Sequence, residues 1–448
     1  MMSKPISRRR FLERSAVAGG VGVLSAAGWS RVYGANERLR VAAIGVWGKG
    51  WSDHTSVAAS PYVDIVSICD IDEGPDHLGR AAKHYPKAAT ATDWRKVLDK
   101  ARDIDAVIIS TPDHMHAPIS LAAMQLGKHV FCQKPLAHTV FETRQMQLAA
   151  AKNRVVTQMG NQIQSHTAYR TAVKLVHDGV IGKVKEVHSW QSGPLIWMLV
   201  DERPTGSDPV PATLHWDEWL GVAPTRPYKE KIYHPFNWRA WQDFSTGQIG
   251  DFACHILDPV FKSLELTAPT TIRGEAPPLP SDLWTRRSTV QYEFPGTART
   301  AGKTIKVTWY DGEGHFPPQE ALGLKEGTKL PTAGSLLIGE KGSLVIPHVA
   351  APRLLPEEQF ADFKIETVPD RDHYVSWADA CRGEGQTTSN FDYSAPLTET
   401  VLLGSIAIRN PEQELRWDAG ALKITNNATA NAMLKKPYRK GWEPAWVS

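Results

Sequence analysis

Three side chains have types and spacings suited to moving a proton. Asp251 and His255 stand four apart, so on a helix they share one face. An imidazole titrates near neutrality and can accept a hydroxyl proton, while Asp251 can orient that imidazole or a substrate hydroxyl. Lys134 directly follows an apolar strand-like run ending at Cys132, and its ammonium can stabilise a developing oxyanion. The plain alternatives are a structural Asp–His bond on a helix face and a solvated lysine before a proline. A zinc site from His114, His116, Asp251 and His255 would lack Cys or carboxylate at ligand spacing, so no metal is expected.

A second set of residues is suited to holding a dinucleotide. The run Arg40–Ile44 enters a glycine turn, Gly45-Val46-Trp47-Gly48-Lys49-Gly50. A buried strand feeding such a turn lets backbone approach a pyrophosphate, and the next helix offers free N–H groups. The pattern G-x-G-x-x-G would place glycine at 47, where this chain has Trp47; Gly48 is expected to supply the close approach instead. The next strand-like run, Val63–Ile68, leads to Asp70, where an acid would meet the adenosine ribose hydroxyls. An acid there repels a 2′-phosphate, favouring NAD over NADP; the alternative role for Asp70 is to cap the following turn.

The positioning elements continue the alternation. Strands are expected at Ala106–Ile109, His129–Cys132 and Arg154–Gln158, with a helix over Pro118–Leu126. Five strands separated by helical segments argue for a parallel, doubly wound sheet. Its ligands bind at the carboxyl ends of strands. The turns carrying Thr111, Pro112, His116, Lys134 and Gln162 all lie at that edge. Beyond it come a helix over Thr167–Asp178 and strands at Val184–Trp190, Thr304–Trp309 and Ser343–Ile346.

Composition excludes several classes. The 448 residues are 42% hydrophobic and 22% charged, which is ordinary for a globular chain of two or three domains. The formal charge is +3, but residues 1–35 hold six basic side chains and one acid, so the remainder sits at −2. Such a chain has no overall electrostatic pull toward nucleic acid. The start, Ser7-Arg8-Arg9-Arg10-Phe11-Leu12, matches a twin-arginine export pattern and is followed by a short Ala/Gly-rich apolar run. It is read as a signal over 1–35, implying export to the periplasm with the protein already folded. No later run is long enough to span a membrane. Cys69, Cys132, Cys254 and Cys381 form no CxxC pair and are expected as free thiols. Sixteen Trp are the one excess. Trp238 and Arg239, just before the Asp–His pair, are expected to line the site, and Tyr438, Arg439 and Trp442 to fold back toward the cleft.

The chain resembles the glucose–fructose oxidoreductase / inositol dehydrogenase (Gfo/Idh/MocA) family. The likeness rests on Gly45–Gly50, Thr111-Pro112-Asp113-His114-Met115-His116, Cys132-Gln133-Lys134-Pro135 and Gly250-Asp251-Phe252-Ala253-Cys254-His255, and is nearest the twin-arginine-exported branch. It implies an α/β fold: an N-terminal Rossmann sheet over 36–162, then an α+β domain over 163–448 with a large, mostly antiparallel open sheet. It implies a homo-oligomer, dimer or tetramer, built on that sheet. It implies that Lys134 bonds substrate and nicotinamide ribose, and that His255 is the acid/base. Cofactor contacts would come from Gly45, Trp47, Gly48, Gly50, Asp70, Thr111, Pro112, His116, Lys134, Gln162, Trp238 and Arg239. The family more often has Glu-Lys-Pro; Gln133 removes that carboxylate, so Lys134 is expected to be less strongly ion-paired.

The expected function is an exported oxidoreductase that passes hydride between a carbohydrate hydroxyl and tightly bound NAD. One alternative is glycoside cleavage through transient oxidation and elimination. Another, from a different class, is a non-catalytic carbohydrate-binding protein, which Trp47 in the glycine turn favours and the presence of Lys134, Asp251 and His255 opposes.

Overall fold

The computed structural model describes residues 38–443 apart from 280, 281 and 326. The proposed signal, 1–35, lies outside the described residues. Two sheets organise the chain. The first has strands β1 (Leu39–Ile44), β2 (Val63–Cys69), β3 (Ala89–Ala91), β4 (Ala106–Ile109), β5 (His129–Cys132) and β6 (Thr157–Met159) in the order β3-β2-β1-β4-β5-β6. All its pairings are parallel. The order reverses between β1 and β4, so the crevice above that switch point opens where the glycine turn leaves β1. Strand β4 is buried on both faces, which is why it reads as an unbroken apolar run.

Three details differ from the sequence expectation. The short strand β3 had no apolar run to betray it. Arg154 does not begin a strand: it adopts φ 52° and closes the helix Val140–Asn153, and β6 starts at Thr157. The helix expected from Pro118 begins at Asp113. Proline cannot serve the carbonyl four residues back, and the His114 carbonyl accepts from Lys436 Nζ at 3.4 Å instead. The earlier start places Asp113 in the first helical turn.

The second sheet comprises β7 (Val184–Gln191), β8 (Thr271–Glu275), β9 (Ser288–Pro295), β10 (Thr304–Asp311), β11 (Ala333–Gly339), β12 (Ser343–Pro347), β13 (Arg353–Leu355), β14 (Glu414–Asp418) and β15 (Lys423–Ile424). Its order is β13-β12-β11-β7-β10-β9-β8-β14-β15. Only β7 and β10 pair in parallel. The helices Gly247–Ile256 and Phe391–Ile408 lie in a core continuous from β4 and β5 to β9 and β10. The helix His373–Cys381 returns to the first sheet, burying Trp377 and Cys381 with Leu39, Val41 and Phe131. All four cysteines are buried and free. Among the described residues no helix is long and apolar enough to cross a membrane.

The glycine turn rests on one close approach. A Cβ on Gly50 would lie 2.0 Å from the Gly45 carbonyl oxygen, whereas one on Gly48 would meet nothing within 4 Å. Gly50→Ala must therefore push the helix Lys49–Val57 off the turn, at about 3 kcal/mol. Gly48→Ala clashes with nothing but must hold φ +56°, ψ −116°, outside the left-handed helical well, at about 1–3 kcal/mol. Urea denaturation of the two variants should show the larger loss at Gly50.

Candidate active site

A cavity of about 710 Å³ opens at the carboxyl edge of the first sheet, within the range of cofactor and substrate sites. Its walls hold nearly all the residues expected from sequence: Gly45, Trp47, Gly48, Asp70, Thr111 and Pro112 on one side, and His116, Lys134, Gln162, Trp238, Arg239, Asp251 and His255 on the other. Gly50 is the exception. It is buried under the turn, and its missing side chain serves helix packing rather than ligand contact.

Lys134 and Asp251 join the two halves of the site. Lys134 Nζ donates to Asp251 Oδ1 and to the Asp251 carbonyl, each at 2.6 Å. The side chains are 14% and 20% exposed. The expectation of a weakly paired lysine is thus overturned: the carboxylate missing at position 133 is supplied by the helix Gly247–Ile256. Burial alone would raise the Asp251 pKa. The charges of Lys134 and Arg239 outweigh that and hold it at about 2. Arg239 Nε lies 3.6 Å from Asp251 Oδ1, with its guanidinium over the Trp238 and Phe236 rings. Trp238 and Arg239 accordingly line the cavity at its Lys134–Asp251 end.

His255 is 9% exposed. Burial first, and then the charge of Lys134, drives its pKa well below the usual value, so it is neutral at neutral pH. Its Nδ1 is buried with no hydrogen-bond partner among the described residues, leaving Nε2 to face chemistry. Its ring lies 5.7 Å from that of His348.

Gln133 has its own explanation. Its amide donates to Asp53 Oδ2 at 2.8 Å, and Ser110 Oγ donates to the same oxygen. Asp53 Oδ1 takes Lys49 Nζ at 2.6 Å and Tyr374 Oη at 3.2 Å. A glutamate at 133 would face the fully buried Asp53 carboxylate at hydrogen-bond distance, and like charges at that range repel strongly.

Asp70 takes the turn-capping role expected as its alternative. It lines the cavity, and its carboxylate accepts from Val46 N at 2.9 Å and Asp72 N at 3.1 Å. It therefore ties the glycine turn to the turn after β2. His116 lines the cavity but spends both ring nitrogens on carbonyls, Pro135 at 2.7 Å and Thr111 at 2.8 Å. It positions the Lys134-Pro135 turn rather than reaching a ligand. His114 bonds the Trp219 carbonyl at 3.1 Å. Tyr438, Arg439 and Trp442 do not line the cavity: Tyr438 bonds Glu142, and Arg439 bonds the Gly221 carbonyl and Asp217.

The cavity suits a dinucleotide. Gly48 presents bare backbone to open space, and no side chain caps the helix Lys49–Val57 behind it. Four buried polar atoms on cavity residues, Trp94 Nε1, Thr111 Oγ1, Gln162 Oε1 and His255 Nδ1, have no partner among the described residues. Such atoms cost free energy unless a bound group satisfies them.

Sequence reasoning missed Asp113, Trp197, Trp219, His77 and His234, which also line the cavity. Only Asp113 carried a signal, as the acid of the Thr-Pro-Asp-His run. Its Oδ2 accepts from Thr246 N at 3.1 Å and Thr246 Oγ1 at 2.9 Å. Burial pushes its pKa up from 3.8 to about 7, against the pull of Lys134. Across that window the folded chain holds a proton that the unfolded chain releases, so stability falls as pH rises. Asp113→Asn keeps an acceptor for Thr246. It should melt above wild type at pH 8, with the gap closing toward pH 4; a gap independent of pH contradicts the assignment.

Comparisons with known proteins agree with this geometry. Residues 39–161 match the Gfo/Idh/MocA model described as an oxidoreductase family, NAD-binding Rossmann fold. Residues 165–301 match that family's C-terminal alpha/beta domain. Together the matches span more than half of the chain. A levoglucosan dehydrogenase of Pseudarthrobacter phenanthrenivorans is 31% identical over 128 residues, 28% of this chain and 33% of the relative. A glycosyl hydrolase family 109 protein of Saccharopolyspora erythraea is 33% identical over 212 residues, 41% of this chain and 45% of the relative. The chain thus matches less than half the length of these curated relatives. The WlbA dehydrogenase of Bordetella pertussis, solved with NADH and UDP-GlcNAcA, shares the fold with a TM-score of 0.59 and 14% identity, covering 85% of this chain and 99% of that one. The chain belongs to the Gfo/Idh/MocA oxidoreductase family, with that family's NAD-binding Rossmann half followed by its C-terminal alpha/beta half.

Proposed function

We propose that this protein is an exported, NAD-dependent oxidoreductase acting on a secondary hydroxyl of a sugar, cyclitol or glycoside. The observation that carries the reading is the convergence of Lys134, Asp251 and His255 in the cavity that also holds the glycine turn. NAD would supply the hydride acceptor. Gly45, Gly48, Thr111 and Gln162 would hold it, and Asp70 would meet the adenosine ribose and disfavour a 2′-phosphate.

The chain's own residues divide the remaining work. Lys134 Nζ, ion-paired with Asp251, donates a hydrogen bond to the reacting oxygen and stabilises its developing negative charge. His255, neutral through burial, accepts the hydroxyl proton at Nε2. Trp238, Trp219 and Trp197 offer flat apolar surface for sugar C–H faces. Export through the twin-arginine route, read from residues 7–12, would carry the cofactor out with the folded chain, which requires it to stay bound between turnovers.

A second reading has one specific support, the 33% identical glycosyl hydrolase family 109 relative. In it the hydroxyl is oxidised, the neighbouring C–H becomes acidic, the leaving group is eliminated, water adds, and the ketone is reduced back. The same three residues serve both readings.

The test uses the purified chain with no cofactor added. Simple sugars and glycosides are supplied one at a time while the reduced-nicotinamide absorbance is followed and free aglycone is assayed. The expected result is a rise in that band with a substrate of this class, reduced roughly 10²–10⁴-fold in rate in Lys134→Ala and His255→Ala. Aglycone release with no lasting rise selects the cleavage reading. A protein that releases no nicotinamide on denaturation and binds none when supplied is a carbohydrate-binding protein instead.

A further inference from the structure

The catalytic end of the cavity accounts for Lys134, Asp251 and His255, but not for a cluster that the same cavity wall carries on the glycine-turn side. Asp72, in the turn after β2, faces two imidazoles. Its Oδ2 lies 3.7 Å from His77 Nε2 and 3.7 Å from His234 Nε2. The ligand atoms of the three residues all lie within 4.8 Å of one another. Only 11–13% of each side chain is exposed.

These distances are too long for hydrogen bonds. They suit three donors around a common centre. Tetrahedral Zn²⁺ with bonds of about 2.0–2.1 Å places its donors roughly 3.3–3.4 Å apart, so each Asp72–His distance need contract by only a few tenths of an ångström, and the two imidazoles draw in from a separation within 4.8 Å. Two imidazoles and one carboxylate with a fourth position open is an established zinc donor set. The supporting contacts are in place too. Asp72 Oδ1 accepts from Gly74 N at 2.8 Å, which turns Oδ2 toward the imidazoles. The His77 ring is stacked on Trp47, 5.0 Å between centroids and 13° from parallel. The nearby acid Glu73 is engaged elsewhere, by His215 at 3.0 Å.

The three residues come from two distant parts of the chain. Asp72 and His77 belong to the turn after β2, whereas His234 belongs to the segment 213–241 that covers the cavity. That segment is already tethered to the same turn by Glu73 N to the Thr213 carbonyl at 2.8 Å and His215 N to the Ile71 carbonyl at 2.9 Å. A cation would add a second, stronger tether about twenty residues further along.

We propose that Asp72, His77 and His234 form a divalent transition-metal site, best fitted to Zn²⁺, that staples the covering segment 213–241 to the turn after β2. The site takes no part in the Lys134–Asp251–His255 chemistry, and the inference stands whether or not a sugar is the substrate.

The test begins with chelator-treated full chain titrated with Co²⁺, whose ligand-field absorption reports coordination. One Co²⁺ per chain should bind with a tetrahedral-type spectrum, and Zn²⁺ should displace it. Asp72→Asn, His77→Gln and His234→Gln should each weaken binding by more than the roughly 10–100-fold expected for losing an outer partner. Metal-free thermal melts identify which variants remain folded. Folded variants that bind Co²⁺ like wild type, or a wild type that binds none, overturn the site. The staple is read separately by hydrogen exchange: Zn²⁺ should slow the amides of 231–236 in wild type and leave them unchanged in the variants. Binding without that protection overturns the staple.

Discussion

The contact between Lys134 and Asp251 is the constraint around which this molecule is arranged. It joins the edge of the first sheet to a helix that packs on the second, and both charges are largely withdrawn from water. A buried pair of this kind gives little net stability over an apolar alternative, yet losing one partner is costly because the other is left unpaired. Its value is positional. The ammonium must point into the cavity and lie beside His255, one helical turn beyond Asp251. Other features serve those requirements: His116 holds the turn that carries Lys134, and Arg239 shares the Asp251 carboxylate.

The same economy explains Gln133. The position beside the lysine already faces a buried carboxylate, Asp53, which also gathers Ser110, Lys49 and Tyr374. That network fastens the first helix after the glycine turn to the helix His373–Cys381. An amide completes it by donating; a second carboxylate would have to be protonated or expelled. Asp113 shows the other outcome. It sits in a similarly dry place, near a lysine that is already committed to Asp251, and its proton is held up to about pH 7.

The aromatic segment between β7 and β8 has two faces. Trp241, Tyr233 and Phe244 form a dense cluster, with the buried Arg226 guanidinium set against their rings. Trp197, Trp219 and Trp238 belong to that same cluster and turn part of their surface to the cavity. The tryptophan excess is therefore core and binding wall at once, because a ring packed on one face keeps its other face rigid for a ligand.

The local sequence determined much of this. Strand runs feeding glycine, Thr-Pro-Asp and Lys-Pro turns specified a parallel sheet and the edge at which its ligands lie, because buried parallel strands are unbroken apolar runs and their carboxyl ends must carry the turns. The four-residue spacing of Asp251 and His255 placed them on one helix face. What spacing cannot express is which distant groups become neighbours. That Lys134 meets Asp251, that Gln133 meets Asp53, and that His234 joins Asp72 and His77 were decided only when the two sheets and their covering segment packed together. Hydrogen bonds and ion pairs depend on ångström distances between residues 80 or more positions apart, and periodicity carries no record of those distances.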